Sequence, residues 1–165
     1  MLRILVVCTG NTCRSPMAEA LLSAKIKASG LTDRIKVLSA GLAAGEALPA
    51  SHGAQTVMKR RGLDLSAHRS RQIAPEFVQV ADIILTMTDA HKQALVRAMP
   101  QAAGKTFTLA EFAGETCDVA DPFGGDEAEY EVCARQLEAM LAKVWEKIRA
   151  LAGDGGAAAE QEREK

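Results

Sequence analysis

The chain has 165 residues, with 20 Lys+Arg against 21 Asp+Glu and a formal net charge of −1. That length, with 48% hydrophobic and 25% charged residues, suits one globular domain and excludes a wholly disordered chain. Four cysteines are too few for a disulfide scaffold, the balanced charge argues against a nucleic-acid binder, and no apolar stretch approaches the ~20 residues of a membrane span.

The opening Met1-Leu2-Arg3-Ile4-Leu5-Val6-Val7 is too short for a signal-peptide core. A cytoplasmic protein with reduced thiols is expected. Ile4-Leu5-Val6-Val7 reads as a strand buried on both faces, stopped by the small and turn-forming residues from Cys8 to Thr12. Ser15 is the expected N-cap of a helix with Pro16 in its first position. That helix should reach Ser29, with Met17, Leu21, Ala24 and Ala28 on one face and Gly30 as its stop. Ile35-Lys36-Val37-Leu38 predicts a second strand ending at Ser39-Ala40-Gly41, and a helix follows from Ala50 to Arg61, closed by Gly62. Ile83-Ile84-Leu85 is the third strand, and Thr88 or Asp89 caps a helix to Met99. Lys105-Thr106-Phe107-Thr108 is a shorter fourth strand. A last helix runs from Glu127 to Leu151, because Tyr130, Cys133, Leu137, Met140, Leu141, Val144, Trp145 and Ile148 recur at helical spacing. The domain is expected to span residues 1–152, and residues 153–165 to form a disordered tail with nothing to bury.

Alternating strands and helices predict an α/β fold with a mainly parallel sheet, which binds ligands at the carboxyl ends of its strands. The stretch Cys8-Thr9-Gly10-Asn11-Thr12-Cys13-Arg14-Ser15-Pro16 lies at such an end. Small residues let its backbone N–H groups turn inward, and a helix begins where it stops. That is a nest of donors suited to a tetrahedral oxyanion. Arg14 adds a planar fork for two oxygens, and the positive surroundings favour Cys8 as a thiolate nucleophile that passes through phosphocysteine. Ser15 is placed to donate to that sulfur. Asp121-Pro122, in an irregular stretch from Asp118 to Gly125, offers a proton donor and base; the alternative is an aspartate that only starts a turn.

The run from Val6 to Glu19 resembles the phosphate-binding signature of the low-molecular-weight protein phosphatases. The resemblance continues through Ser39-Ala40-Gly41, Ser66-Ala67-His68-Arg69-Ser70-Arg71 and Asp121-Pro122-Phe123-Gly124-Gly125, and covers residues 2–150. It implies a single-domain flavodoxin-like fold, with a four-stranded parallel sheet flanked by helices. It further implies Cys8 as nucleophile, Arg14 as phosphate clamp and Asp121 as general acid and base, with Thr9, Gly10, Asn11, Thr12, Cys13 and Ser15 lining the anion. Asn11 would hold the loop in shape, with Ser39 and His68 in a supporting network. No metal or cofactor is implied, since amides and Arg14 neutralise the charge.

Thr12 resembles the protein-arginine phosphatase branch, where tyrosine-directed members carry a larger aliphatic residue. The Asp-Pro-Phe-Gly-Gly stretch resembles that branch too. A hydroxyl can bond near the P–N linkage of phosphoarginine, Asp121 can hold the guanidinium and protonate its leaving nitrogen, and Phe123 can wall the slot for the arginine stem. The expected partners are phosphorylated proteins, phosphoarginine preferred. A tyrosine phosphatase is the alternative, with Thr12 as a loop-fitting residue only. An arsenate reductase would need further redox cysteines near residues 81–89, which hold none. A zinc module or a non-catalytic phosphopeptide binder fits less well, since no second cysteine pair exists and both Cys8 and Asp121 are present. Cys13 either traps oxidised Cys8 as a disulfide, making the enzyme redox-sensitive, or packs under the loop. Lys59, Arg60, Arg61, Arg69 and Arg71 read as a solvated basic face, and His52 and His91 as surface residues.

Overall fold

The computed structural model describes residues 1–153. Four strands, β1 (Leu2–Cys8), β2 (Ile35–Gly41), β3 (Ile83–Thr86) and β4 (Thr106–Thr108), pair in the order β2-β1-β3-β4. All three pairings are parallel, with Val6 opposite Ser39 on one side and Leu85 on the other. The helices among the described residues are α1 (Arg14–Ala28), α2 (His52–Lys59), α3 (Pro75–Val80), α4 (Asp89–Ala98), α5 (Leu109–Phe112) and α6 (Glu127–Leu151).

Because side chains alternate across a strand, Ile4, Val6, Ile83 and Leu85 face one layer and Leu5, Val7 and Ile84 the other. The first layer holds α1, α2, α5 and α6; the second holds α3, α4 and a 3-10 turn at Pro100–Lys105. The sheet is covered on both faces, which accounts for the continuous apolar runs of β1 and β3. The chain leaves β1 to form β2 on one side and returns to form β3 on the other. The carboxyl end of β1 therefore opens into the crevice where strand order reverses. Cys8 ends β1 there.

The expected flavodoxin-like α/β architecture is present, with four corrections. The first helix is capped by Cys13 instead of Ser15, so Pro16 is its third residue, and Leu22 and Ile26 are buried where Ala24 is half-buried and Ala28 exposed. The helix expected over 50–61 spans His52–Lys59, capped by the Ser51 hydroxyl. α3, α5 and the 3-10 turn were not anticipated, since elements of four to six residues carry no periodicity. Apart from Gly153, the tail expected to be disordered lies outside the described residues. Among the described residues no helix is long and apolar enough to cross a membrane.

The fourth correction concerns the basic face. Arg61 donates to both carboxylate oxygens of Glu131, at 2.7 and 3.0 Å, and to Glu138 at 2.7 Å. Arg60 pairs with Glu127 and Glu131. These arginines clamp α2 to α6 instead of standing free. The bonds from Arg61 hold the Glu131 carboxyl down to about 2 from 4.5. A depressed carboxylate adds stability that is full above pH 4.5 and lost as pH falls toward 2. Glu131→Gln is therefore expected to lower stability at pH 7 by about 1–3 kcal/mol, the scale of charged hydrogen bonds. Thermal melts across pH 7 to 2 check this: the gap from wild type should close in that acid window. A gap that stays constant would remove the ion pair from the explanation.

Candidate active site

The loop after β1 turns because Asn11 adopts a left-handed backbone, φ 56°, which asparagine tolerates better than most residues. Its amide holds that turn closed. Nδ2 donates to the Ser15 hydroxyl at 2.8 Å and to Ser39 at 2.9 Å, and Oδ1 accepts the Arg71 N–H at 3.0 Å. The Ser39 hydroxyl donates to Glu19 at 2.8 Å, and His68 Nε2 lies 2.7 Å from the Asn11 carbonyl. Glu19 and His68 Nδ1 stand 4.0 Å apart, so the network runs in a ring under the loop. Gly41 completes the floor. A Cβ there would come within 2.6 Å of the Thr9 carbonyl oxygen, so only glycine lets the loop rest on β2.

With the loop so held, its donors are left unspent. Among the described residues the N–H groups of Thr9, Gly10, Asn11, Thr12 and Cys13 donate to no protein acceptor. The first N–H groups of α1 add to them, since a helix leaves its first turn unpaired. Pro16, third in the helix, lacks an N–H that would in any case be orphaned. The arrangement is a cradle for a doubly or triply charged oxyanion.

Cys8 sits beneath it, 3% exposed, its Sγ 2.9 Å from the Ser15 hydroxyl. Arg14 is also buried. Nη1 donates to the Val119 carbonyl at 2.9 Å, and Nη2 stands 3.5 Å from Asp121 Oδ2. A buried guanidinium held this loosely by carboxylate is a receptor for a second anion. Asp121 is half exposed, and its other oxygen accepts the Phe123 N–H at 3.0 Å, an Asx turn that fixes the carboxylate toward Arg14. Cys8, Arg14 and Asp121, the residues expected as nucleophile, clamp and acid, thus lie together at one strand end.

The other anticipated residues fall around them. Thr12 is half-buried; its carbonyl accepts the Ser51 N–H at 2.9 Å and its hydroxyl lies 3.7 Å from the Cys13 sulfur. Cys13 Sγ is 3.4 Å from the Ser51 hydroxyl and 3.3 Å from Tyr130 Oη. Burial first, then the Cys13 bond, pushes the Tyr130 phenol up to about 12. Both Cys8 and Cys13 are free thiols. Phe123, expected to wall the slot for the arginine stem, is 74% exposed. Cys133 is a core residue whose thiol burial raises to about 12.

The partners Glu19, Arg71, Ser51 and Tyr130 carry no site signal in the sequence, and neither does the way Arg14 and Thr9 are held. The Val119 carbonyl aims Arg14, and only tertiary structure reveals a backbone oxygen as a partner. His91, expected at the surface, is 8% exposed and its Nε2 lies 2.8 Å from the Thr9 hydroxyl. The signal was available in part: a helix that starts at the carboxyl end of β3 must bring its first turn beside the β1 loop.

Residues 3–152 match the family described as low molecular weight phosphotyrosine protein phosphatase. The chain belongs to that family. Within it, a protein-arginine-phosphatase of Geobacillus stearothermophilus is 45% identical over 148 residues, covering 89% of this chain and 96% of the relative. A solved low molecular weight protein tyrosine phosphatase of T. tengcongensis is 43% identical with a TM-score of 0.85, covering 89% of this chain and 99% of that one. A solved arginine phosphatase variant with a phosphorylated active-site serine is 36% identical with a TM-score of 0.86, covering 90% and 96%. The low molecular weight phosphatases thus share this chain's fold over nearly its whole described length.

Proposed function

We propose that the protein is a protein-arginine phosphatase that works through phosphocysteine on phosphorylated proteins in the cytoplasm. Cys8, Arg14 and Asp121 are its catalytic residues. Thr9, Gly10, Asn11, Thr12, Cys13, Ser15 and Phe123 bind substrate, and Ser39 and His68 support the loop. The observation that carries the phosphatase chemistry is the set of uncommitted loop amides closing over Cys8, with Arg14 and Asp121 3.5 Å apart at their edge. Similarity to a named arginine phosphatase and the presence of Thr12 in the loop support the choice of substrate.

In the first step Cys8 Sγ attacks phosphorus, the P–N bond breaks, and Asp121 gives its proton to the leaving guanidine nitrogen. The loop amides and Arg14 take the charge that builds on the equatorial oxygens. In the second step Asp121 accepts a proton from water as the water oxygen attacks phosphorus and the S–P bond breaks. The Ser15 hydroxyl, 2.9 Å from Sγ, stabilises the departing thiolate. The exposed Phe123 ring stands ready to cover the arginine stem. A tyrosine phosphatase would use the same two steps, so the assignment turns on what lies beside the loop. The solved tyrosine phosphatase at 43% identity keeps that reading in play.

Thr12 decides between them. A hydroxyl bonds to a guanidinium phosphate, whereas an aliphatic side chain would leave its N–H groups unpaired and crowded. Wild type is expected to have the higher kcat/KM on phosphoarginine peptides. Thr12→Ile should move the ratio toward phosphotyrosine by more than about ten-fold, since polar contacts discriminate more than single methylenes do. Cys8 and Arg14 are untouched, so small aryl phosphates should still turn over. A wild type that prefers phosphotyrosine, or a ratio that does not move, returns the protein to the tyrosine-directed reading.

A further inference from the structure

His91 ties the opening of the loop to a different wall of the site. It stands in the first turn of α4, where its N–H is capped by the Thr88 hydroxyl at 3.1 Å. Its side chain is buried, with Nε2 2.8 Å from the Thr9 hydroxyl across 82 positions of sequence. Its Nδ1 is buried too, and has no hydrogen-bond partner among the described residues. An imidazolium needs an acceptor on both nitrogens, so this setting favours the neutral ring. Burial first, and then the charge of Arg14, hold its pKa down to about 4 against opposite pulls from Asp121 and Asp118. At neutral pH the ring is therefore a strut without charge. It adds no cation to compete with Arg14 for phosphoryl oxygens.

Thr9 is the residue that needs such a strut. It follows Cys8 directly, is exposed, and precedes Gly10, the residue type with the greatest backbone freedom. Its carbonyl accepts the Ala43 N–H at 2.9 Å, which fixes one side of the residue. Only the bond to His91 fixes its side chain among the described residues. Asn11 and Thr12, farther along, have their own ties to β2, Arg71 and Ser51.

We propose that His91 is a positioning residue of the phosphoryl site, holding Thr9 so that the first amides of the loop stay aimed at the bound oxyanion. It rests on the phosphatase reading for the identity of that anion, and on geometry alone for the tie. Inorganic phosphate and vanadate, measured by calorimetry, probe the cradle without turnover. Thr9→Val and His91→Phe should each weaken both anions about ten-fold, the scale of one lost hydrogen bond, and lower kcat/KM alike. Thr9→Ser and His91→Gln keep a polar partner and should recover most of the loss. The double variant should be no worse than the worse single one, which a general loss of structure would not produce.

Because Thr9 is exposed, its variants keep the test alive if His91→Phe fails to fold. Unchanged anion affinity in Thr9→Val, or additive losses in the double variant, would overturn the proposal. A wild type that binds phosphate with this dependence yet hydrolyses no phosphopeptide would overturn the phosphatase reading and leave the strut standing.

Discussion

Cys8→Ser is expected to abolish turnover while leaving phosphate and vanadate bound at nearly wild-type affinity. The hydroxyl of serine is a far weaker nucleophile than a thiolate, and its oxygen a far poorer leaving group once phosphorylated. The cradle itself changes little. The uncommitted amides belong to residues 9–13, Arg14 keeps its bond to the Val119 carbonyl, and Asn11 keeps Ser15, Ser39 and Arg71. Those bonds do not pass through the sulfur. Any slow transfer to the new hydroxyl should stop there, so intact mass should show at most one added phosphoryl group. Turnover assays, anion titration and mass spectrometry on one preparation separate the possibilities. Substantial steady-state activity in Cys8→Ser would remove the covalent mechanism, and loss of anion binding would mean that the sulfur shapes the loop.

The parts of this site that are legible in sequence are those that local rules control. A short apolar run followed by small residues and a proline announces strand, loop and helix, because each step has a local physical cause. The long stripe from Tyr130 to Ile148 gives the last helix its boundaries for the same reason, and Trp145 alone of that stripe is only partly buried. Pro16 misleads about register because any of the first helical positions tolerates a missing N–H. Ser15 looks like a cap but spends its hydroxyl on Cys8 and Asn11 instead. Ala24 and Ala28 suggest a stripe that the helix does not bury, because the start of α1 is packed on several sides and its apolar residues do not mark one face.

What escapes a sequence reading is pairing at long range. His91 is as polar as a surface residue, and its partner Thr9 lies 82 positions away. Arg60 and Arg61 look like a free basic run until α6 brings Glu127, Glu131 and Glu138 against them. Here the acidic spacing held a clue, since positions four and seven apart share a helix face. The Val119 carbonyl that aims Arg14 carries no residue-type signal at all. The loop after β1 is therefore local in its signature and global in its support. Glu19, Ser39, His68, Arg71 and His91 come from four separate segments to hold a turn of five residues.

Asp121→Asn should lower kcat by roughly 10²–10⁴-fold on substrates with a basic leaving group, the scale of losing a general acid. The substitution is close to isosteric, and its carbonyl oxygen can still accept the Phe123 N–H that closes the Asx turn. The contact with Arg14 is 3.5 Å long and the carboxylate is half exposed, so its loss should cost little stability. What disappears is the proton. The deficit should accordingly shrink as the leaving group becomes less basic, being largest for phosphoarginine and smallest for an activated aryl phosphate. For the activated substrate, breakdown of phosphocysteine should then limit the rate, because the same carboxylate is the base for water. A burst of leaving group ahead of slow steady-state release would expose that change of step. Equal deficits across all leaving groups, with no burst, would assign Asp121 to the shape of its loop and leave the proton to another donor.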